Sequence, residues 1–181
     1  MENVTEMTLF LISTVSSFYI TIVMLRFLFQ LVRAEFYNPV SQFIVKATNP
    51  LLAPLRHIIP GISNIDIASL VLALLLQVLT IEAIFLIQYS QFPPFVAVLV
   101  TAVVKLIASV LNIYFWALLI MVILSWVAPY NNHPVTSLIN SLLRPILSRI
   151  QKIIPPMGGL DFSPMVAMIL IYCLKILFGI G

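Results

Sequence analysis

Charge is scarce in this sequence. Only 8% of its 181 residues are Asp, Glu, Lys or Arg, against about 25% in a soluble domain. Such a chain cannot cover a water-facing surface, which excludes an ordinary soluble enzyme or binding domain. Cysteine occurs once, at Cys173, so no internal disulfide can form. Two histidines, His57 and His133, have no Cys or second His nearby, so no metal site is expected. The five glycines form no phosphate-cradling loop, and no nucleophile elbow or metalloprotease motif is present. No cofactor and no enzymatic activity are expected. A net charge of +3 is too small to point to nucleic acid.

What is abundant is apolar. Hydrophobic residues make up 62% of the chain and mean hydropathy is +1.15, which leaves an integral membrane protein as the expected class. Four apolar segments are candidate spans: 7–32, 66–89, 99–127 and 162–179. Each is of the order of the roughly 20 residues needed to cross about 30 Å of hydrocarbon. The first has no small-residue cleavage site and reads as an anchor rather than a signal peptide. Arg26 and Arg33 lie toward its end, where long basic side chains can snorkel to the head groups. Lys175, near the end of the fourth segment, reads the same way.

Between the spans one stretch occurs twice. Residues 39–66 and 134–161 align without a gap at an offset of 95 positions, and nine of the 28 positions are identical. Pro39 meets Pro134, Pro50 meets Pro145, Pro60 meets Pro155 and Asp66 meets Asp161. The correspondence runs on into the spans, where Tyr19 meets Tyr114. The chain therefore divides into a first repeat, 1–90, and a second, 91–181, each a span, an amphipathic segment (39–60 or 134–155) and a second span. Two spans per repeat give both copies the same orientation, a parallel rather than an inverted repeat. The fold class is an all-α membrane protein with four transmembrane helices.

In the first amphipathic segment Val40, Phe43, Ile44 and Ala47 fall on one face, with Ser41, Gln42, Lys46 and Thr48 opposite. Asn49-Pro50 and Pro54 interrupt it. In the second, Val135, Leu138, Ile139, Leu142, Ile146, Ile150 and Ile153 make an apolar stripe, and Pro145 kinks or splits the helix. Gly158-Gly159 predicts a turn. The segments lie on the membrane surface or dip into it as re-entrant elements. Basic residues concentrate in these connections, at Arg33, Lys46, Arg56, Arg144, Arg149 and Lys152. The N-terminus and the middle turn, Gln91-Phe92-Pro93-Pro94, carry none. By the positive-inside rule the repeated stretches face the cytoplasm and both termini lie outside.

The motifs are specific enough to carry a resemblance. Asn49, Pro50, Pro54, Arg56, Ile59, Pro60 and Asp66 in the first copy resemble the pattern of the YggT family. So do Arg144, Pro145, Ile154, Pro155 and the run Gly158-Gly159-Leu160-Asp161-Phe162-Ser163-Pro164 in the second. The resemblance covers nearly the whole chain, at the two-copy length of proteobacterial members. One departure is that family loops often read Pro-Ile-Arg where Pro145-Ile146 is followed by Leu147, with Arg149 arriving later. The resemblance implies a multi-pass protein of the bacterial inner membrane with no assigned enzymatic activity. It also implies links to osmotic or salt tolerance and, through relatives called YlmG, to division and nucleoid distribution. Another plastid relative assists cytochrome maturation.

Three groups of residues are candidates for function. Asp66 and Asp161 either bind a cation or basic partner, or cap the spans they precede. Glu82 and Lys105 lie roughly 14 and 16 Å deep, counted from the middle turn. They form an ion or proton path, or a structural ion pair, or are charges that reach the surface. Lys46, Arg56, Arg144, Arg149 and Lys152 either bind anionic head groups or a partner protein, or serve topology alone. Two functions follow: a membrane-organising protein acting on lipids, membrane-protein partners or its own copies, or a small oligomeric channel or transporter for monovalent cations.

Overall fold

A computed structural model describes residues 2–61, 65–127, 133–156 and 161–179. The expected Gly158-Gly159 turn, with Leu160, lies outside these. Six helices form: α1 (Glu2–Leu31), α2 (Pro39–Ile58), α3 (Ile67–Tyr89), α4 (Phe95–Val127), α5 (Pro134–Ile153) and α6 (Ser163–Leu177). Three of them, α1, α3 and α4, are long and apolar enough to cross a membrane. Their exposed surface carries Phe10, Phe18, Leu79, Val100, Trp116 and Ile123, an apolar belt far larger than a soluble monomer tolerates. These helices point to a membrane protein. At 15 residues, about 22 Å, α6 is shorter than the span expected over 162–179.

Helix starts follow from local chemistry. Asn38, in extended conformation, accepts the Val40 N–H at 3.0 Å through its side chain, and Pro39 fills the first helical position. His133 does the same for α5, accepting the Val135 N–H through Nδ1 at 3.3 Å ahead of Pro134. Ser90, at φ 53°, closes α3 in the left-handed conformation.

The expected break at Asn49-Pro50 and Pro54 does not occur, nor does a split at Pro145: α2 and α5 each run unbroken for 20 residues. All three prolines sit on the exposed side, where the ring has room. Pro50 leaves the Lys46 carbonyl without its helical donor. On either side of that carbonyl, α1 supplies donors: the Tyr19 hydroxyl to Ala47 O at 3.3 Å and Arg26 to Val45 O at 3.2 Å.

Helix α1 packs mainly on α3, and α4 packs on α3 and touches α1. Helix α2 lies against α1 and α3, and α5 against α4 and α6. The starts of α2 and α5 meet, joined by Asn38 Nδ2 donating to Pro134 O at 2.7 Å. Small residues bring backbones close: Ala68, Ser69 and Ala73 on α3, Ala117 on α4 and Ala167 on α6 are buried. Val23, Leu52, Leu118 and Leu143 complete the core at 0% exposure. In α5 the buried set is Leu138, Ile139, Leu142, Leu143, Leu147 and Ile150, close to the expected stripe, although Val135 and Ile153 are exposed. In α2 the face is rotated from the expected one. Ser41, Ile44, Thr48 and Leu52 are buried and Phe43 is exposed, because Thr48 has a polar partner inside the bundle and Phe43 is an apolar side chain on an outer surface that is itself apolar.

Leu143 tests this packing. We expect Leu143→Ala to destabilise the protein by about 2–5 kcal/mol, measured by unfolding in detergent, with Ile153→Ala near neutral.

Candidate functional site

Polar residues gather in four places. The first joins the end of α2 to the start of α3. Asp66 is 3% exposed and accepts from the Arg56 guanidinium and the Ser69 hydroxyl. Its side chain takes no backbone N–H, so it is an ion-pair partner more than a cap. Burial raises the carboxyl pKa, but the bonds from Arg56 and Ser69 outweigh it and hold the group below the usual carboxylate range. Arg56 also reaches Gln30 Oε1 at 3.5 Å.

The second place stands 95 positions on. Asp161 Oδ2 accepts from Gln151 Nε2 at 2.9 Å, and its Oδ1 accepts the Ser163 N–H at 2.9 Å. Gln151 occupies the position of Arg56, so each carboxylate ties the end of a connecting helix to the start of the next apolar helix. Both carboxylates are thus committed to protein donors.

The third is a node between α1 and α2. Arg26, expected to reach the head groups, is 7% exposed. Its Nη1 faces Val45 O, Thr48 Oγ1 and, at 2.8 Å, Asn49 Oδ1. Thr48 passes the chain on, donating to Ile44 O at 2.7 Å. The corresponding positions between α4 and α5 hold Met121, Leu143 and Arg144. There Leu143 is buried and Arg144 exposed: the same junction is built from apolar side chains and the cation moves outside. The sequence signal for Arg26 was the neighbouring pair Thr48-Asn49 ahead of Pro50.

The fourth is a cleft of about 690 Å³ between α1, α3 and α4, floored by α2 and α5. Gln77, Thr80, Lys105, Ser109 and Asn112 line it together with Trp116 and apolar residues including Ile44 and Leu138. Glu82 is half-buried and does not line it, and Glu82 and Lys105 form no ion pair. A second, more polar hollow of about 620 Å³ lies where α2 and α5 begin, lined by Glu35, Asn38, His133 and Arg144 among others.

Of the basic candidates, Lys46, Arg144, Arg149 and Lys152 are exposed on α2 and α5, and Arg56 is paired. Pro60 and Pro155 are exposed just past the ends of those helices. Lys175 stands 5.8 Å from the Phe115 ring centre, a cation–π contact. No group of His, Cys, Asp and Glu among the described residues could hold a metal ion.

Together, the three long apolar helices and the apolar belt they expose point to an α-helical membrane protein. The CCB3/YggT family profile matches residues 5–88 and 100–180, and the chain belongs to that family. It is 46% identical over 160 residues to the uncharacterized protein PA0392 of Pseudomonas aeruginosa, covering 88% of this chain and 81% of that one. It is 39% identical over 166 residues to the uncharacterized protein YggT of Escherichia coli K12, covering 92% and 86%. A shorter match, 38% over 75 residues, is to the uncharacterized protein ycf19 of Porphyra purpurea, covering 40% of this chain and 78% of that one. No solved structure matches the chain.

The Asp66 pair has a pH signature. Asp66 titrates below its unfolded value of about 3.9, so between the two pKa values the unfolded chain binds more protons and acid favours unfolding. Its stabilisation is present above about pH 4 and lost as pH falls through the folded value. We expect Asp66→Asn to be less stable at pH 7 and to lose less stability than wild type between pH 5 and 3, followed by thermal unfolding in detergent. Arg56→Gln, which reproduces the α5–α6 arrangement, should be mild, whereas Arg56→Ala leaves a buried acceptor unmet and costs about 1–3 kcal/mol.

For the Arg26 node, Arg26→Ala should cost about 2–5 kcal/mol, since Thr48 and Asn49 lose their donor and a cavity opens. Arg26→Met with Thr48→Leu, which copies Met121 and Leu143, should recover most of that loss in the same assay.

Proposed function

We propose that the protein is a non-enzymatic organiser of the bacterial inner membrane, acting through α2 and α5 on anionic lipids and on membrane-protein partners or further copies of itself. The observation that carries this reading is the placement of Lys46, Arg144, Arg149 and Lys152. All four stand exposed on the two connecting helices, outside the polar clusters that hold the bundle together. A cation with no structural duty beside a bilayer is free to meet lipid phosphate, at about 1 kcal/mol per residue.

In this reading the chain is two parallel units of span, amphipathic helix and span. The two separate stretches of the family match and the matching Asp66 and Asp161 ties support it. Helix α6 serves as the fourth span by local thinning of the bilayer. The basic helices face the cytoplasm and both termini lie outside, because the positive charges cluster in these connections. A role in osmotic or salt tolerance, or in envelope and division processes, comes from the family resemblance.

The rival, a channel for monovalent cations, meets an electrostatic objection: the charge lining the membrane cleft is Lys105, which repels cations, and Glu82 lies elsewhere.

Replacing Arg144, Arg149 and Lys152 together by Gln tests the proposal. Wild-type protein extracted from mixed bilayers should retain phosphatidylglycerol over phosphatidylcholine, and the triple variant should lose about 3 kcal/mol of that preference. Equal retention, read by mass spectrometry of the co-purified lipid, would sink the mechanism. Potassium flux into proteoliposomes above protein-free controls would revive the channel.

A further inference from the structure

The cleft between α1, α3 and α4 holds polar groups that the protein itself does not satisfy. Lys105, Ser109 and Asn112 lie on one face of α4, at the helical spacing i, i+4, i+7, with Trp116 one turn further. Gln77, 7% exposed, faces them from α3. None of these four polar side chains makes a hydrogen bond or ion pair to another described residue. Arg26 differs in kind, having three acceptors inside the fold. Lys105 lies about 15 Å along α4 from Phe95. Helix α4, 33 residues and about 50 Å long, overhangs 30 Å of hydrocarbon, and even with that overhang shared equally Lys105 is inside the apolar layer. There an unmatched polar group is costly; Lys105, exposed and about 5 Å below the boundary, can lift its head toward the interface, but Ser109, Asn112 and Gln77 lie deeper and gain from a partner that enters from outside the chain.

Charge and shape decide the partner. One ammonium ringed by neutral amides and a hydroxyl complements a head group with a single negative charge and several acceptor oxygens. Below it the walls turn apolar, through Phe29, Ile44 and Leu138. About 690 Å³ is in the range of a small-molecule site and suits one acyl chain. We propose that this cleft binds a long-chain fatty acid, its carboxylate on Lys105 with Ser109, Asn112 and Gln77 donating beside it. Its chain runs toward α2 and α5. The site lies apart from the basic surface of α2 and α5 and does not depend on it.

Trp116 in the wall supplies the readout. The chain has two tryptophans, so Trp126→Phe leaves Trp116 as sole reporter. The full-length variant in phosphatidylcholine nanodiscs at pH 8 is titrated with 9,10-dibromostearate, whose bromines quench indole at contact range. We expect saturable quenching at one equivalent per chain, relieved by unbrominated stearate and not by its methyl ester. Lys105→Gln should weaken binding about tenfold, the loss of one charge-assisted hydrogen bond. Lys105→Arg should restore it, which separates charge recognition from a folding defect. Lys175→Gln, away from the cleft, should leave it unchanged. Non-saturating quenching, equal affinity in Lys105→Gln, or equal competition by the methyl ester overturns the proposal. So does loss of quenching when phosphatidylglycerol replaces phosphatidylcholine, which would make the occupant a bilayer phospholipid. Absence of quenching in a folded protein, as when a second copy covers the cleft, overturns it too.

Discussion

Two carboxylates at helix starts hold the connecting helices to the bundle. Without Asp66 and Asp161, the C-terminal ends of α2 and α5 would rest on apolar contact, which discriminates poorly when the surrounding lipid is as apolar as leucine. A hydrogen bond between polar side chains has no equivalent in the acyl chains. Arg56 with Asp66, and Gln151 with Asp161, therefore fix where each connecting helix ends, and so which of its faces meets the core. The exposed positions of Lys46, Arg144, Arg149 and Lys152 are consequences of that anchoring.

The two halves reach this geometry by different chemistry. Between α1 and α2 the junction is polar, with Arg26 bridging Val45, Thr48 and Asn49. Between α4 and α5 the corresponding positions are Met121, Leu143 and Arg144. A buried, hydrogen-bonded cation and an apolar replacement of similar volume can be close in stability. What the exchange changes is the surface, because the second arrangement places Arg144 outside. The half with the apolar junction is also the half whose connecting helix carries three exposed basic residues, Arg144, Arg149 and Lys152.

Much of this was legible in the residues. Apolar runs located the long helices to within a few positions, and Pro39 and Pro134 marked the starts of α2 and α5 because proline suits a first turn. The prolines inside α2 misled, since their cost depends on whether the ring faces out and whether a neighbouring helix answers the freed carbonyls. Tyr19 and Arg26, which supply donors to the carbonyls on either side of the freed one, are 28 and 19 residues from their acceptors in sequence. The rotated face of α2 has the same origin: periodicity assigns Thr48 to the polar side, and the position of Arg26 on another helix gives that side a partner inside the bundle. The pairing of Glu82 with Lys105 failed because depth from a turn fixes height along a helix but not the direction in which a side chain points.

Depth also separates the three cations near the apolar layer into different physical classes. Arg26 is buried, and its Nη1 meets three acceptors within the protein, so it belongs to the fold. Lys175 rests on the face of Phe115 near the end of its helix, where a long side chain reaches polar surroundings at little cost. Lys105 has no acceptor among the described residues, sits about 5 Å inside the apolar layer by helix rise, and opens onto a cleft with other unmatched polar groups. Leucine at this position would avoid the cost of a lysine in the apolar layer. The cost of keeping Lys105 is understandable where an anion shares the cleft, and the neutral amides around it make one negative charge the better match than two.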